Sequence, residues 1–226
     1  MTETADRILD AALMHVPFDG WSELTFRSAA SDADVPLAEA RALFPRGAVD
    51  LALGFHHRGD RQLALTLEGE DLGALRFRDR VAHAVRLRLE LVEPHKEAVR
   101  RGATLFALPV YAADGARALW ETADTIWTAL GDTSDDLNWY TKRATLSGVY
   151  SATLLYWLGD QSPDHVATWS FLDRRIEDVM RFETLKKQVR ENRVLGRFMA
   201  GPDWLAKQVR APSGSPRSDL PGRWRA

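Results

Sequence analysis

Apolar residues in this chain recur at intervals of three and four almost from end to end, and no run of useful length alternates apolar with polar, so the pattern specifies helices and not sheets. Ile8, Leu9, Ala12, Leu13 and Val16 share one helical face before Pro17-Phe18-Asp19-Gly20 stops the turn. Thr25 is placed to cap a short helix reaching Ala33, and Val35-Pro36 opens another that ends near Phe44-Pro45. A long helix from Gly47 to about Leu67 runs into the Glu68-Gly69-Glu70-Asp71 break. From Leu72 to Val92, Leu75, Val81, Val85 and Leu89 oppose an arginine-rich face of Arg76, Arg78, Arg80, Arg86 and Arg88. Pro94 fits the first turn of the next helix, where a missing N–H costs nothing.

The second half follows the same rules. Asp114 to Ala129 is amphipathic, with Leu119, Trp120, Ile126 and Trp127 on the apolar side. Asp135 and Asp136 cap a helix from about Asn138 to Leu158 that is apolar on nearly all sides, the pattern of a central bundle helix. Ser162-Pro163-Asp164 reads as a helix start, with Ser as cap, Pro at the first position and a carboxylate against the positive helix end. Val166, Trp169, Leu172, Ile176, Val179 and Met180 then trace one stripe, opposite Asp173, Arg174, Glu177, Asp178 and Arg181. The predicted fold class is all-α.

Composition excludes several chemistries. The 226 residues include no cysteine, which removes disulfides, thiol nucleophiles, cysteine-ligated zinc and iron–sulfur clusters. His56 and His57 are adjacent and face different directions, while His15, His83, His95 and His165 are scattered, so no metal-ligand spacing is legible. Glu90, Glu93 and His95 are interrupted by Pro94. Phosphate-binding loops, dinucleotide fingerprints and nucleophile elbows are missing, so no catalytic residue, metal or cofactor is expected, and the protein reads as non-enzymatic. The start Met1-Thr2-Glu3-Thr4-Ala5-Asp6 is neither a secretory signal nor an arginine-rich transit peptide, and the expected compartment is cytosol-like. Ala144 to Gly159 is free of charge but, at sixteen residues, falls short of the roughly 20 that cross a bilayer, so no transmembrane segment is expected.

The formal net charge of −2 conceals an uneven distribution: −5 over residues 1–50, −4 over 51–183 and +7 over 184–226. Anionic surfaces can therefore dock at the C-terminal end and not at the N-terminal one. The order helix, Gly20-Trp21, Leu24-Thr25, a helix with Ala29-Ala30, Asp34-Val35-Pro36, short helix, Phe44-Pro45 resembles the first three helices of TetR-family transcriptional regulators. In that family the third helix enters the major groove, where neutralising phosphates supplies most of the affinity. Here Leu37-Ala38-Glu39-Ala40-Arg41-Ala42-Leu43 follows Asp32 and Asp34, setting one Arg against three carboxylates, and the first fifty residues hold no Lys. Residues 1–46 are thus expected to keep the three-helix unit in degenerate form, with no nucleic-acid partner.

Residues 136–182 carry a second resemblance. Asp136-Leu137-Asn138-Trp139-Tyr140-Thr141-Lys142-Arg143, then Tyr156-Trp157, Asp160-Gln161-Ser162-Pro163-Asp164 and Thr168-Trp169-Ser170-Phe171-Leu172-Asp173-Arg174-Arg175-Ile176, look like the C-terminal domain of the Coq-nine family of ubiquinone-biosynthesis accessory proteins. The resemblance spans about residues 1–210 when the TetR-like start and basic end are included. It implies a TetR-like all-α homodimer without DNA binding, whose pocket accepts polyprenylated quinone intermediates or another isoprenoid lipid. It further implies that these are presented to the di-iron demethoxyubiquinone hydroxylase at the membrane surface. The family's Trp-Tyr-x-x-Arg partner patch falls on Trp139, Tyr140 and Arg143, with Asp136 just before.

Read as residues alone, Trp139 and Tyr140 point about 100° apart on a helix, so at least one is expected at a surface beside Arg143, the composition of an interface hot spot. The alternative packs Trp139 in the core and pairs Arg143 with a carboxylate such as Asp136. The residues leave the two evenly matched, and the resemblance favours the interface. Candidate pocket residues are Leu146, Gly148, Val149, Ala152, Leu155 and Tyr156, with Phe106, Leu108 and Trp127 from earlier helices; the small Gly148 and Ala152 would leave room for a prenyl chain. Close helix packing explains the same residues equally simply.

At the C-terminal end, Lys186, Lys187, Arg190, Arg193 and Arg197 interleave with Leu185, Val189, Leu195, Phe198 and Met199, and Trp204 follows the Gly201-Pro202 break. A basic amphipathic helix with aromatic anchors suits an anionic membrane surface, each Lys or Arg adding about 1 kcal/mol. Docking on the chain's own acidic N-terminal half is the competing reading. The expected organisation is a helix-turn-helix-like unit (1–46), a lipid-binding and dimerisation domain (47–183), a membrane-associating helix (184–210) and a flexible tail (211–226). The protein is then expected on the inner face of a bacterial inner membrane, or on the matrix face of a mitochondrial one. The second functional reading is a TetR-like regulator sensing a hydrophobic effector.

Overall fold

A computed structural model describes residues 2–191, with side chains through Arg181. Among the described residues there are nine α-helices and no strand: α1 (Glu3–Asp19), α2 (Glu23–Asp32), α3 (Leu37–Leu43), α4 (Ala48–Glu68), α5 (Phe77–Glu90), α6 (Lys96–Phe106), α7 (Ala112–Ala129), α8 (Leu137–Gly159) and α9 (Val166–Glu191). The all-α expectation holds. No helix among the described residues is long and apolar enough to cross a membrane.

The helix ends follow from local chemistry. Thr2 accepts a hydrogen bond from the Ala5 amide at the start of α1, and Gly20 closes it at φ 65°, a left-handed conformation that suits glycine. The cap of α2 is Ser22 and not Thr25: the Thr25 amide donates to Ser22 Oγ, while the buried Thr25 hydroxyl donates to the Gly20 carbonyl at 2.6 Å, locking the α1–α2 turn. Asp136 caps α8 by accepting from the Asn138 amide at 2.8 Å. Helix α5 starts five residues later than its apolar spacing extends, because Leu72–Arg76 form a turn in which Arg80 donates to the carbonyls of Gly73 and Leu75.

The start of α9 also differs from expectation. Pro163–His165 form a 3₁₀ turn in which Asp164 and His165 take positive φ, and the α-helix begins only at Val166. Ser162 does cap, accepting from the Ala167 amide, but the carboxylate at the helix start is Asp160 and not Asp164. Asp160 accepts from the Thr168 amide and hydroxyl and from the Ser162 amide. Those hydrogen bonds from Thr168 and Ser162 hold its carboxyl far below the usual carboxylate range.

One continuous apolar core runs from Ala5 on α1 to Ile176 on α9. Helices α1–α3 pack on each other, α1 also meets α4 and α6, and α7 lies between α4 and α8. Helix α8 is not central. Leu146, Val149, Tyr150, Thr153 and Trp157 are buried, but Ala144, Thr145, Gly148, Leu155 and Tyr156 face solvent. Its all-round apolarity therefore reports a core face and an uncovered apolar face, which one helical period cannot tell apart.

Candidate functional site

A cleft of about 390 Å³ opens between α4, α5, α6, α7 and α8. Its mouth is formed by the exposed residues Ala107, Ala112, Ala116 and Leu155, and its walls by Val99, Ala103, Phe106, Leu119 and Leu154. The floor combines buried apolar groups (Phe55, Val92, Ala98, Ala118) with Arg88 and Tyr150, which are 2% and 1% exposed. An apolar cleft with a few convergent polar groups is the usual composition of a small-molecule site.

A buried polar network underlies that floor. Arg88 Nε donates to Asp60 Oδ1 at 2.8 Å, and Arg88 Nη2 donates to the His56 carbonyl at 2.9 Å. The Thr122 hydroxyl, on α7, donates to Asp60 Oδ1 at 2.9 Å. His56 Nε2 lies 3.1 Å from the Ala118 carbonyl and 2.8 Å from Thr122 Oγ1, so the network places its proton on Nε2 and leaves Nδ1 as the ring's acceptor. Burial, outweighing the pull of Asp60, pushes the His56 pKa down to about 4, so the ring is neutral at pH 7. Burial likewise pushes the Tyr150 phenol up, and it keeps its proton. Gly59 gives the guanidinium its place: a Cβ there would sit 2.6 Å from it, and the Arg88 head would have to shift.

A second cleft of about 310 Å³ lies between α5, α8 and α9, lined by Phe77, Val81, Trp127, Leu146, Val149, Ile176 and Val179. The candidate pocket residues therefore divide. Phe106 and Leu155 line the first cleft, and Trp127, Leu146 and Val149 line the second. Gly148, Ala152, Leu108 and Tyr156 line neither: Gly148 is exposed with nothing within 4 Å of its Cβ position, Leu108 is exposed, and Tyr156 stacks on Phe171 at 4.6 Å. The small residues that make room belong to other helices, Ala98, Gly102 and Ala103 on α6 and Gly115 and Ala118 on α7.

The Trp-Tyr-x-x-Arg segment forms an aromatic patch over a buried ion-pair cluster. Trp139 and Tyr140 are half-buried, and with Trp120 of α7 they make a group with ring centroids 4.8–6.3 Å apart. Arg143 lies beneath, 2% exposed, its guanidinium carbon 4.0 Å from the Trp139 ring centroid. Its Nε donates to Asp124 at 2.6 Å and its Nη1 to Asp132 at 3.0 Å, so its carboxylate partners are these and not Asp136. Lys142 Nζ reaches the other Asp132 oxygen at 2.7 Å. Burial raises the Asp132 pKa, but hydrogen bonds from Lys142, Ser134 and Arg143 outweigh it and hold the carboxyl at about 2.

The residues proposed for the membrane lie outside the described side chains: Lys186, Lys187 and Arg190 within the helical backbone of α9, and Arg193, Leu195, Arg197, Phe198, Met199 and Trp204 beyond Glu191. Asp60, Arg88, Thr122 and His56 were missed at the sequence level. Asp60 falls on the stripe of Leu51, Phe55, Leu63 and Leu67, and Arg88 on that of Val81, Ala84, Val85 and Val92. A charge on the apolar face of each of two helices is the signal of a buried pair.

Residues 112–183 match the COQ9 family. The chain is 33% identical over 186 residues to the mitochondrial ubiquinone biosynthesis protein COQ9 of Drosophila melanogaster, covering 80% of this chain and 57% of that protein. It is 36% identical over 190 residues to the Xenopus tropicalis protein and 34% over 191 to the Homo sapiens protein, covering 81% of this chain and 60% of each. The chain thus spans about 60% of the length of the curated relatives it matches. The crystal structure of a TetR transcriptional regulator from Nitrosomonas europaea ATCC 19718 aligns with a TM-score of 0.62 at 21% identity, over 78% of this chain and 97% of that one, a likeness of fold. The family match begins at the mouth of the first cleft and takes in the aromatic patch and the start of α9. This chain therefore carries the COQ9-family domain on a TetR-type fold and is a homologue of the ubiquinone biosynthesis protein COQ9.

Proposed function

We propose that this chain is a non-enzymatic accessory protein of ubiquinone biosynthesis that holds a polyprenylated quinone intermediate and presents it, at a membrane surface, to the demethoxyubiquinone hydroxylase. The observation that carries this reading is the apolar cleft of about 390 Å³ inside the bundle, whose α7 and α8 walls fall within the family match. A protein that shields part of a quinone from water lowers the cost of withdrawing it from the bilayer. The cleft is at the small end of ligand sites and cannot enclose a whole polyprenyl quinone, so part of the ligand lies outside it.

The partner surface is the Trp120, Trp139 and Tyr140 group, held rigid by Arg143 below it. The uncovered α8 strip of Gly148, Ala152 and Tyr156 supports a homodimer, because a bare Gly148 lets a second helix approach closely. The basic segment from residue 184 supplies the membrane contact, facing anionic headgroups with net +7. The regulator reading is weakened at α3, where the one arginine, Arg41, is drawn to Glu23 at 2.6 Å and lies over the Phe26 ring at 4.3 Å.

The test uses anionic liposomes loaded with a polyprenyl quinone. After incubation and flotation, quinone appears in the protein fraction in proportion to protein, and addition of the di-iron hydroxylase retains it in a complex. Quinone that stays with the liposomes at every protein concentration overturns the reading.

A further inference from the structure

Polar and apolar groups are not mixed at random along the first cleft. The four exposed residues at its mouth are all apolar, whereas its polar side chains lie deeper, Arg88 and Tyr150 buried and His56 and Ser151 half-buried. A site built to swallow only a hydrocarbon tail would be apolar at the bottom, where water is hardest to retain. Burying an arginine, a histidine and a tyrosine against an apolar space is costly unless a ligand or another group completes their hydrogen bonding.

The charge balance of this inner end is specific. Arg88 is already neutralised by Asp60, and Asp60 Oδ2 is a buried oxygen with no hydrogen-bond partner among the described residues. It lies 3.5 Å from His56 Nε2. Asp60 lies behind the lining, so an entering carboxylate or phosphate would meet an Arg88 whose charge is already balanced and no spare positive group. A neutral hydroxyl or ring carbonyl meets complementary groups instead: the protonated Tyr150 phenol as donor and the neutral His56 Nδ1 as acceptor.

We propose that the cleft takes its ligand head first, with Tyr150, His56 and Arg88 reading a neutral, oxygen-bearing ring and the apolar chain trailing out between α6, α7 and α8. This rests on the lipid-carrier reading and adds to it the orientation of the ligand and a selection rule: neutral hydroxyl or carbonyl heads over anionic ones.

The test is calorimetric titration of the delipidated full-length protein with three probes of one chain length: 4-nonylphenol, nonylbenzene and 4-nonylbenzoate. The wild type binds the phenol about ten-fold more tightly than either of the others, the worth of a hydrogen bond or two in a buried site. Tyr150→Phe, which removes one oxygen from a ring already in place, narrows the preference of phenol over nonylbenzene, and Tyr150→Phe with His56→Leu brings phenol and nonylbenzene to parity. If the double variant does not melt cooperatively, Tyr150→Phe alone decides. Equal affinity of the wild type for phenol and nonylbenzene overturns the head-first inference and leaves the carrier reading standing. Tightest binding of the benzoate overturns the selection for neutral heads. No binding of any probe overturns both.

Discussion

Two regions of this molecule are organised around a buried arginine, and they use it in opposite ways. Beneath the aromatic patch, Arg143 is engaged by two carboxylates, the Trp139 carbonyl and the face of the Trp139 ring. At the cleft floor, Arg88 is met by a single carboxylate whose second oxygen has no hydrogen-bond partner among the described residues, and it borders a space. The first arrangement is closed and makes a rigid platform that presents tryptophan and tyrosine outward. The second is left open toward the cleft, as a ligand site must be. In the function we propose, the same residue type serves as a support in one place and as part of a receptor in the other, and the difference lies in how completely its surroundings satisfy it.

That contrast is vulnerable first at Arg143. Arg143→Ala takes one of two cations from the buried Asp132, which keeps Lys142 and Ser134, and is expected to cost about 2–3 kcal/mol, seen as a clear fall in Tm by circular dichroism. A loss below about 1 kcal/mol would return Arg143 to the surface and erase the distinction from an ordinary interface arginine.

Acid should separate the two regions next. His56 has a folded pKa of about 4 against an ordinary 6.5, so the unfolded chain binds the proton first. Its contribution, roughly 3 kcal/mol at most, is present above pH 6.5, declines as the pH falls to about 4, and changes no further below that. Asp132, held at about 2 against an ordinary 3.8, contributes above pH 3.8 and loses that contribution only as the pH falls through about 2. Denaturant melts of the wild type and His56→Gln across pH 4–7.5 should therefore converge toward acid. Parallel curves would show that the floor histidine is not desolvated.

A smaller effect concerns the platform itself. Trp139→Ala keeps Arg143 and its ion pairs, so it is expected to cost roughly 1–2 kcal/mol of stability while weakening hydroxylase association at least about ten-fold in surface plasmon resonance. Unchanged association would remove the patch from the partner interface. The smallest is Ser162→Ala, which removes one cap from α9 and should lower stability by about 1 kcal/mol with no change in probe affinity for the cleft.

Helix identity was legible because it rests on local spacing: α3 lies between Pro36 and Pro45 and α4 between Gly47 and Gly69, while α1 runs through Pro17 to stop at Gly20 and α7 starts at Ala112, two residues before Asp114. Local rules erred where a nearby alternative competed, as when Ser22 took the cap offered to Thr25 and Asp160 the role read into Asp164. The pocket was read on α8 because that helix is apolar all round, yet Gly148 and Tyr156 face outward and the space comes from the alanines and glycines of α6 and α7. Arg143's partners lie 19 and 11 residues away, and Arg88's lies 28 away on α4, distances at which spacing carries no information about contact. What could have been read is the register: Asp60 and Arg88 each interrupt an apolar stripe, whereas the other arginines of α5 except Arg88 sit off it.

The central claim is that the first cleft carries a quinone-type lipid, and its most direct measurement is native mass spectrometry of the full-length protein expressed in a ubiquinone-producing host, beside Leu154→Trp, which fills the cleft from its wall. The account predicts a polyprenylated ring compound on the wild type and its loss from the folded variant. A wild type that carries no such compound, or a variant that carries it equally, would contradict it.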